Sequence, residues 1–211
     1  MRFILLVVVL ISTVKLYSQK IFYGNKFLES RETIVFFHPY MNNENYFKVF
    51  SEPLIKDYNL VFLRGGKGED SFYSWYDLDI YSDSFINFEQ IDSVLEEVER
   101  ILKPFKNVIL VGYSQGGVIA NYLMLRDAKK YNKIISINSY LDVKGELKKE
   151  HNYKKVNMLF IYGKNDFIIN ETMVNKSFKM LEQYRIKYKT IEHFNYHEIT
   201  KEVRNQIIKY L

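Results

Sequence analysis

Asn107-Val108-Ile109-Leu110-Val111-Gly112-Tyr113-Ser114-Gln115-Gly116-Gly117 is the stretch on which the reading of this chain turns. An apolar run of strand length ends in Gly-x-Ser-x-Gly, and an amphipathic stretch follows at once. A serine becomes a usable nucleophile when a sharp strand-to-helix turn pushes its hydroxyl clear of the sheet. The residues two before and two after it must then be small, because the backbone closes tightly around them. The same turn aims the N–H of the next residue, Gln115, at the same point in space. Alone, this short pattern recurs by chance. Its weight comes from the strand–turn–helix setting and from an acid and a histidine further along the chain.

Outward from that stretch, short β-branched runs alternate with longer helical patterns, as in βαβ units around a parallel sheet. Strands are expected at Thr33–His38, Leu60–Arg64, Asn107–Gly112, Lys133–Asn138, Asn157–Gly163 and Tyr188–Phe194. Ile21 to Leu28 reads as a hairpin turning at Gly24-Asn25. Helices are expected at Ser84–Leu102, Gln115–Lys130, Glu171–Tyr184 and Ile199–Tyr210. In the first, Ile86, Ile91, Val94, Leu95, Val98, Ile101 and Leu102 fall mostly at three- and four-residue intervals, which makes one apolar face. Near-continuous hydrophobic strands such as Val108–Val111 imply a sheet covered on both sides. The expectation is an α/β fold with a mostly parallel central sheet of about six to eight strands. In open sheets of this kind, chemistry gathers beyond the C-terminal strand ends.

The candidate reactive residues fall at such ends. Ser114 follows one expected strand, and Asp166 follows another in Gly163-Lys164-Asn165-Asp166. His197 follows the last strand and precedes the last helix. A serine hydroxyl is a poor nucleophile until a base removes its proton, and imidazole can do that near neutral pH. A carboxylate then holds the productive tautomer and stabilises the imidazolium. Two N–H groups must receive the oxyanion. Gln115 supplies one, and the second is expected from the loop His38-Pro39-Tyr40-Met41.

These segments together resemble the phospholipase/carboxylesterase branch of the α/β-hydrolases, which includes the acyl-protein thioesterases. That branch carries a His-Gly-x-Gly loop, a Ser-Trp-Phe-Asp stretch, Gly-Phe-Ser-Gln-Gly-Gly at the elbow, Gly-x-x-Asp, and Gly-His near the C-terminus. The counterparts are His38 to Met41, Ser74-Trp75-Tyr76-Asp77, Gly112 to Gly117, Gly163 to Asp166, and Tyr196-His197. The match spans roughly residues 33–211. The resemblance implies the α/β-hydrolase fold and a Ser114, Asp166, His197 triad. It also implies an oxyanion hole from the Tyr40 and Gln115 N–H groups, and no cofactor. Two positions depart from the pattern. Pro39 replaces a loop glycine and lacks its N–H, and Tyr196 replaces the glycine before the histidine.

Competing readings exist for several of these residues. Asp166 could cap the following helix, alone or in addition to pairing with a base. Asp127 and Asp142 are rival acids, and His193, inside an expected strand, is a rival base. His193 and His197 are four apart, but no Glu follows the first in HExxH fashion, so no metal site is expected. Trp75 and Tyr76 are candidates for the wall of an acyl pocket, with burial in the core as the alternative. His38 is read as shaping its loop. Arg64-Gly65-Gly66-Lys67-Gly68-Glu69 lacks the ending of a phosphate loop and reads as a flexible loop beside the site.

Residues 1–18 carry Arg2, an apolar block from Phe3 to Ile11, and a polar exit, which read as a secretory signal peptide cleaved after Ser18. The block is shorter than the ~20 residues a membrane-spanning helix needs. Residues 19–211 then form one hydrolase domain, secreted or periplasmic, with membrane contact only through an uncleaved leader. No cysteine is present, which excludes a disulfide framework, thiolate metal sites and a cysteine nucleophile together. Net charge is +5 and falls to +3 without Arg2 and Lys15, too mild and scattered for nucleic-acid binding. The expected activity is hydrolysis of a carboxylic ester or thioester of a small molecule through an acyl-enzyme. Little in the sequence between the Lys133 and Asn157 strands could form a lid, so an open cleft is expected. Acyl transfer or peptide cleavage on the same fold, and an inactive binding module, are the alternatives.

Overall fold

The short β-branched and aromatic runs lie side by side in the computed structural model, which describes residues 19–81, 85–143 and 153–211. The strands are β1 (Lys20–Tyr23), β2 (Thr33–Phe37), β3 (Asn59–Arg64), β4 (Lys67–Glu69), β5 (Phe72–Ser74), β6 (Val108–Tyr113), β7 (Lys133–Ile137), β8 (Asn157–Gly163) and β9 (Lys187–His193). The helices are α1 (Lys48–Ser51), α2 (Phe88–Leu102), α3 (Gln115–Arg126), α4 (Glu171–Gln183) and α5 (Lys201–Tyr210). Among the described residues, seven strands make one sheet in the order β1-β3-β2-β6-β7-β8-β9. β1 pairs antiparallel with β3, and every other neighbouring pair in that sheet is parallel. This is the expected α/β-hydrolase architecture.

Successive strand residues point to opposite faces, so a doubly covered sheet needs apolar side chains at every position. β2 shows the division. Val35 and Phe37 join the core under α2, α3 and α4, while Ile34 and Phe36 join the core under α1 and α5. β6 divides likewise, with Val108 and Leu110 on the first face and Ile109 and Val111 on the second. Helix starts follow local chemistry. The side chains of Asn87, Asn170 and Thr200 each accept a hydrogen bond from the backbone N–H three residues on, capping α2, α4 and α5. The cap at Asn87 explains why α2 begins later than the apolar pattern implied.

Some expectations are corrected. Ile21–Leu28 is not a hairpin. β1 pairs instead with β3, Gly24 N–H donates to the Leu60 carbonyl, and Asn25 Nδ2 reaches the carbonyls of Ile55 and Tyr58. The free edge of β3 offers a longer ladder than a local turn could, so the non-local pairing prevails. Arg64–Glu69 is not a flexible loop. Lys67–Glu69 pairs with Phe72–Ser74 as a small antiparallel hairpin, with Asp70 at φ 55° in its turn. The α1 turn and the 3-10 turn after it, Glu52–Leu54, went unread, although Phe47, Phe50 and Leu54 are spaced to bury on one side. The leader reading of residues 1–18 lies outside the described residues, as does 144–152 of the β7–β8 connection, on which the expectation of little lid depends. No helix among the described residues is long and apolar enough to cross a membrane.

Asn59 anchors the entry to β3. Its Oδ1 accepts from Leu28 N–H at 2.8 Å, and its Nδ2 donates to the Leu28 and Arg31 carbonyls at 2.8 and 3.1 Å. The residue is 1% exposed. Losing such bonds at a buried site costs about 2–3 kcal/mol. Asn59→Ala is therefore expected to lower the urea midpoint by that amount with an unchanged denaturant slope.

Candidate active site

Parallel pairing puts the C-terminal ends of β2, β6, β7, β8 and β9 on one edge of the sheet, and the candidate residues meet there. Ser114 stands between β6 and α3 with φ 53° and ψ −120°, a backbone region costly for a side chain with a Cβ. The turn is tight. A Cβ on Gly112 would lie 2.3 Å from the Gly116 carbonyl oxygen, and one on Gly116 would lie 2.2 Å from that of Phe37. Both positions therefore require glycine, as the motif implied.

His197 Nε2 lies 2.9 Å from Ser114 Oγ, and His197 Nδ1 lies 2.6 Å from Asp166 Oδ2. With Asp166 accepting, Nδ1 carries the proton and the Nε2 lone pair faces the serine hydroxyl. Asp166 is held in turn. Its other oxygen accepts from the N–H groups of Ile168 and Ile169, each at 2.9 Å, and its side chain is buried. It therefore caps its own turn while pairing with His197, and Asn170 caps α4. The rival acids are occupied elsewhere. Asp127 accepts from the N–H groups of Lys129 and Lys130, and Asp142 pairs with Lys176 at 2.8 Å. His193 bonds through Nε2 to Asn138 Oδ1 at 3.0 Å rather than to the serine, and burial lowers its pKa. Among the described residues no cluster of His, Cys, Asp and Glu could hold a metal ion.

A cavity of about 470 Å³ opens beside Ser114 and His197. Tyr40, Tyr76 and Gln115 line it together with Leu78, Phe85, Tyr140, Ile168 and Ile169, and among the described residues no Asp, Glu, Lys or Arg does. Gln115 is the first residue of α3, so its N–H has no carbonyl partner within the helix and lies at the positive end of the helix dipole. Trp75 corrects the expectation of an acyl-pocket wall. It is fully buried behind the cavity, where its Nε1–H donates to the His38 carbonyl at 2.9 Å and its ring stacks on His38. A buried indole N–H needs an acceptor, and the backbone of the His38 loop provides it.

Sequence reasoning missed two residues that tie the loops together. The Gln115 side chain accepts from Trp75 N–H at 2.9 Å and donates to the Tyr76 carbonyl at 2.8 Å, joining the elbow to the segment after β5. Asn138, at φ 41° after β7, donates to the Tyr196 and Glu198 carbonyls on either side of His197. Only the place of Gln115 directly after the serine hinted at either role. His38 shapes its loop as expected, since its Nε2 accepts from Gly65 N–H at 2.9 Å and its Nδ1 bonds to the Pro39 carbonyl at 2.7 Å.

The family model for Phospholipase/Carboxylesterase matches residues 25–211. The chain belongs to that family. Membership makes it an α/β-hydrolase of the esterase and thioesterase kind. Its fold is similar to that of a carboxylesterase from Bacillus cereus, 16% identical with a TM-score of 0.80 over 91% of this chain and 92% of that one. YahD, solved with malic acid, is 17% identical with a TM-score of 0.79, over 91% of this chain and 97% of its own. A carboxylesterase from Mesorhizobium loti is 15% identical with a TM-score of 0.75, over 89% of this chain and 90% of its own. No curated protein matches the chain.

His38 yields a pH prediction. Burial pushes its pKa down from 6.5 to about 4, and protonation would also remove the acceptor that Gly65 uses. The folded pKa lies below the unfolded one, so the unfolded chain binds the proton first as pH falls. Stability is full above pH 6.5 and declines toward pH 4 by about 3 kcal/mol from this group. Urea titrations at pH 7 and pH 4 should show a smaller loss for His38→Gln than for the unaltered enzyme.

Proposed function

We propose that this family member is a secreted serine hydrolase that cleaves carboxylic esters or thioesters through an acyl-enzyme. The observation that carries the reading is the hydrogen-bonded series Ser114, His197 and Asp166 at the mouth of an uncharged cavity. In this mechanism His197 Nε2 takes the hydroxyl proton as Ser114 Oγ attacks the acyl carbon. The carbonyl oxygen becomes an oxyanion received by the N–H groups of Gln115 and Tyr40. Collapse expels the alcohol or thiol, which leaves with the proton from His197, and Ser114 holds the acyl group. Water then repeats the sequence, giving its proton to His197 and releasing the acid. Asp166 stays ionised and stabilises the imidazolium in both halves.

The cavity supports uncharged acyl groups, because among the described residues no Lys or Arg lines it to pair with a second carboxylate. Small or single-chain acyl groups suit its size, which Michaelis constants on a series of p-nitrophenyl esters would measure. Secretion is supported by the charge, apolar block and polar exit of residues 1–18, and the absence of cysteine suits an oxidising compartment.

Ser114→Ala is expected to lower kcat by about 10⁶ and to abolish labelling by a fluorophosphonate probe, read by intact mass. Activity at the unaltered level would reject the assignment. Asp166→Asn keeps an acceptor for the Ile168 and Ile169 N–H groups but disturbs the tautomer of His197, and should cost about 10⁴ in kcat. Expressed with its leader in a secreting host, the protein recovered from outside the cytoplasm should begin at Gln19 by mass spectrometry.

A further inference from the structure

The peptide that carries the imidazole is gripped from below by side chains at the ends of two neighbouring strands. Three consecutive carbonyls of the loop accept such bonds. Asn138 Nδ2 reaches those of Tyr196 and Glu198 at 3.3 and 3.5 Å. Tyr113, the last residue of β6 and the one before Ser114, donates its hydroxyl to the carbonyl of His197 at 2.7 Å. Its ring also lies against the imidazole, with centroids 5.0 Å apart and planes 29° from parallel. Behind it the ring of Tyr46 stacks at 5.4 Å and 7°. A phenol has one proton to donate. Tyr113 gives its own to the His197 carbonyl.

We propose that Tyr113 is a positioning residue for the general base, its hydroxyl clamping the His197 peptide so that the imidazole stays between Ser114 and Asp166. The inference rests on the reading of His197 as base. Nucleophile and base lie on segments far apart in the chain, and the residue next to one holds the backbone of the other. A shift of the loop away from the elbow would strain the Tyr113 bond together with the serine contact. Burial raises the Tyr113 phenol well above its usual range, so it remains a neutral donor across the range in which an imidazole titrates.

Tyr113→Phe tests the clamp, because the ring and both stacking contacts remain and only the hydroxyl is lost. With a soluble p-nitrophenyl ester, kcat is expected to fall about tenfold with KM changed by less than about twofold, since small misplacements of a catalytic group cost one to two orders of magnitude. The fluorophosphonate labelling rate at Ser114 should fall in parallel, with Tm within a few degrees of the unaltered protein. The downfield proton resonance of the His197–Asp166 hydrogen bond should broaden through faster exchange with water. Tyr46→Phe keeps the stacked ring and should leave all three readouts unchanged. Unchanged kcat, labelling and resonance in Tyr113→Phe overturn the clamp, as does a loss of activity matched by unfolding. If the unaltered protein neither turns over nor labels, the serine-hydrolase reading falls, and the resonance comparison still decides whether Tyr113 holds His197.

Discussion

Ser114 adopts a backbone conformation at φ 53° that costs of order 1–3 kcal/mol and persists only where its surroundings over-determine it. Those surroundings are the centre of the sheet. The Ser114 N–H donates to the Ile137 carbonyl of β7, and its carbonyl accepts from the N–H groups of Gly117 and Val118 as α3 begins. On the other side, β2 brings the Phe37 carbonyl so near that residue 116 has no room for a side chain. The strained turn is thus held by β2, β7 and the first turn of α3 together. A strand at the edge of the sheet would lack one of these supports.

The remaining parts of the site are placed by the same parallel register, and then pinned by polar side chains. Loops have no ladder of their own, so their buried backbone groups need partners from elsewhere. Gln115 supplies two to the Trp75–Tyr76 segment, Trp75 supplies one to His38, and His38 accepts one from Gly65. Each loop that borders the cavity is therefore tied to the elbow or to another loop. Asp166 satisfies its own turn with one oxygen and His197 with the other, which fixes its orientation before any substrate arrives.

Among the described residues, acids and strong bases stay out of the cavity wall and are paired beside it. Glu44 and Arg64 pair through two hydrogen bonds of 2.5 Å, and the guanidinium lies between the rings of Phe22 and Tyr73. Arg64 holds the Glu44 carboxyl below the usual carboxylate range. His38, close by, is kept neutral by burial, and only as a neutral ring can it accept the Gly65 N–H and brace the loop that carries Tyr40. The electrostatics of the pocket wall are left to backbone dipoles and phenols, which suits an acyl group without charge.

Much of this was legible along the chain. The Asn157–Gly163 strand lies where its apolar run placed it, the other strands of the parallel core shift at most a residue or so at their ends, and the order of Ser114, Asp166 and His197 followed from their positions after strands. Periodicity and turn chemistry act between residues a few positions apart, so they can be read in order. Partner choice could not be read that way. That β1 joins β3 rather than folding back at Gly24, that Trp75 braces the His38 loop rather than facing the cavity, and that Asn138 and Tyr113 hold the His197 loop all depend on residues 30 to 80 or so positions apart meeting in space. Such contacts become available only after the sheet has assembled, because several acceptors of similar strength compete for each donor until the register selects one.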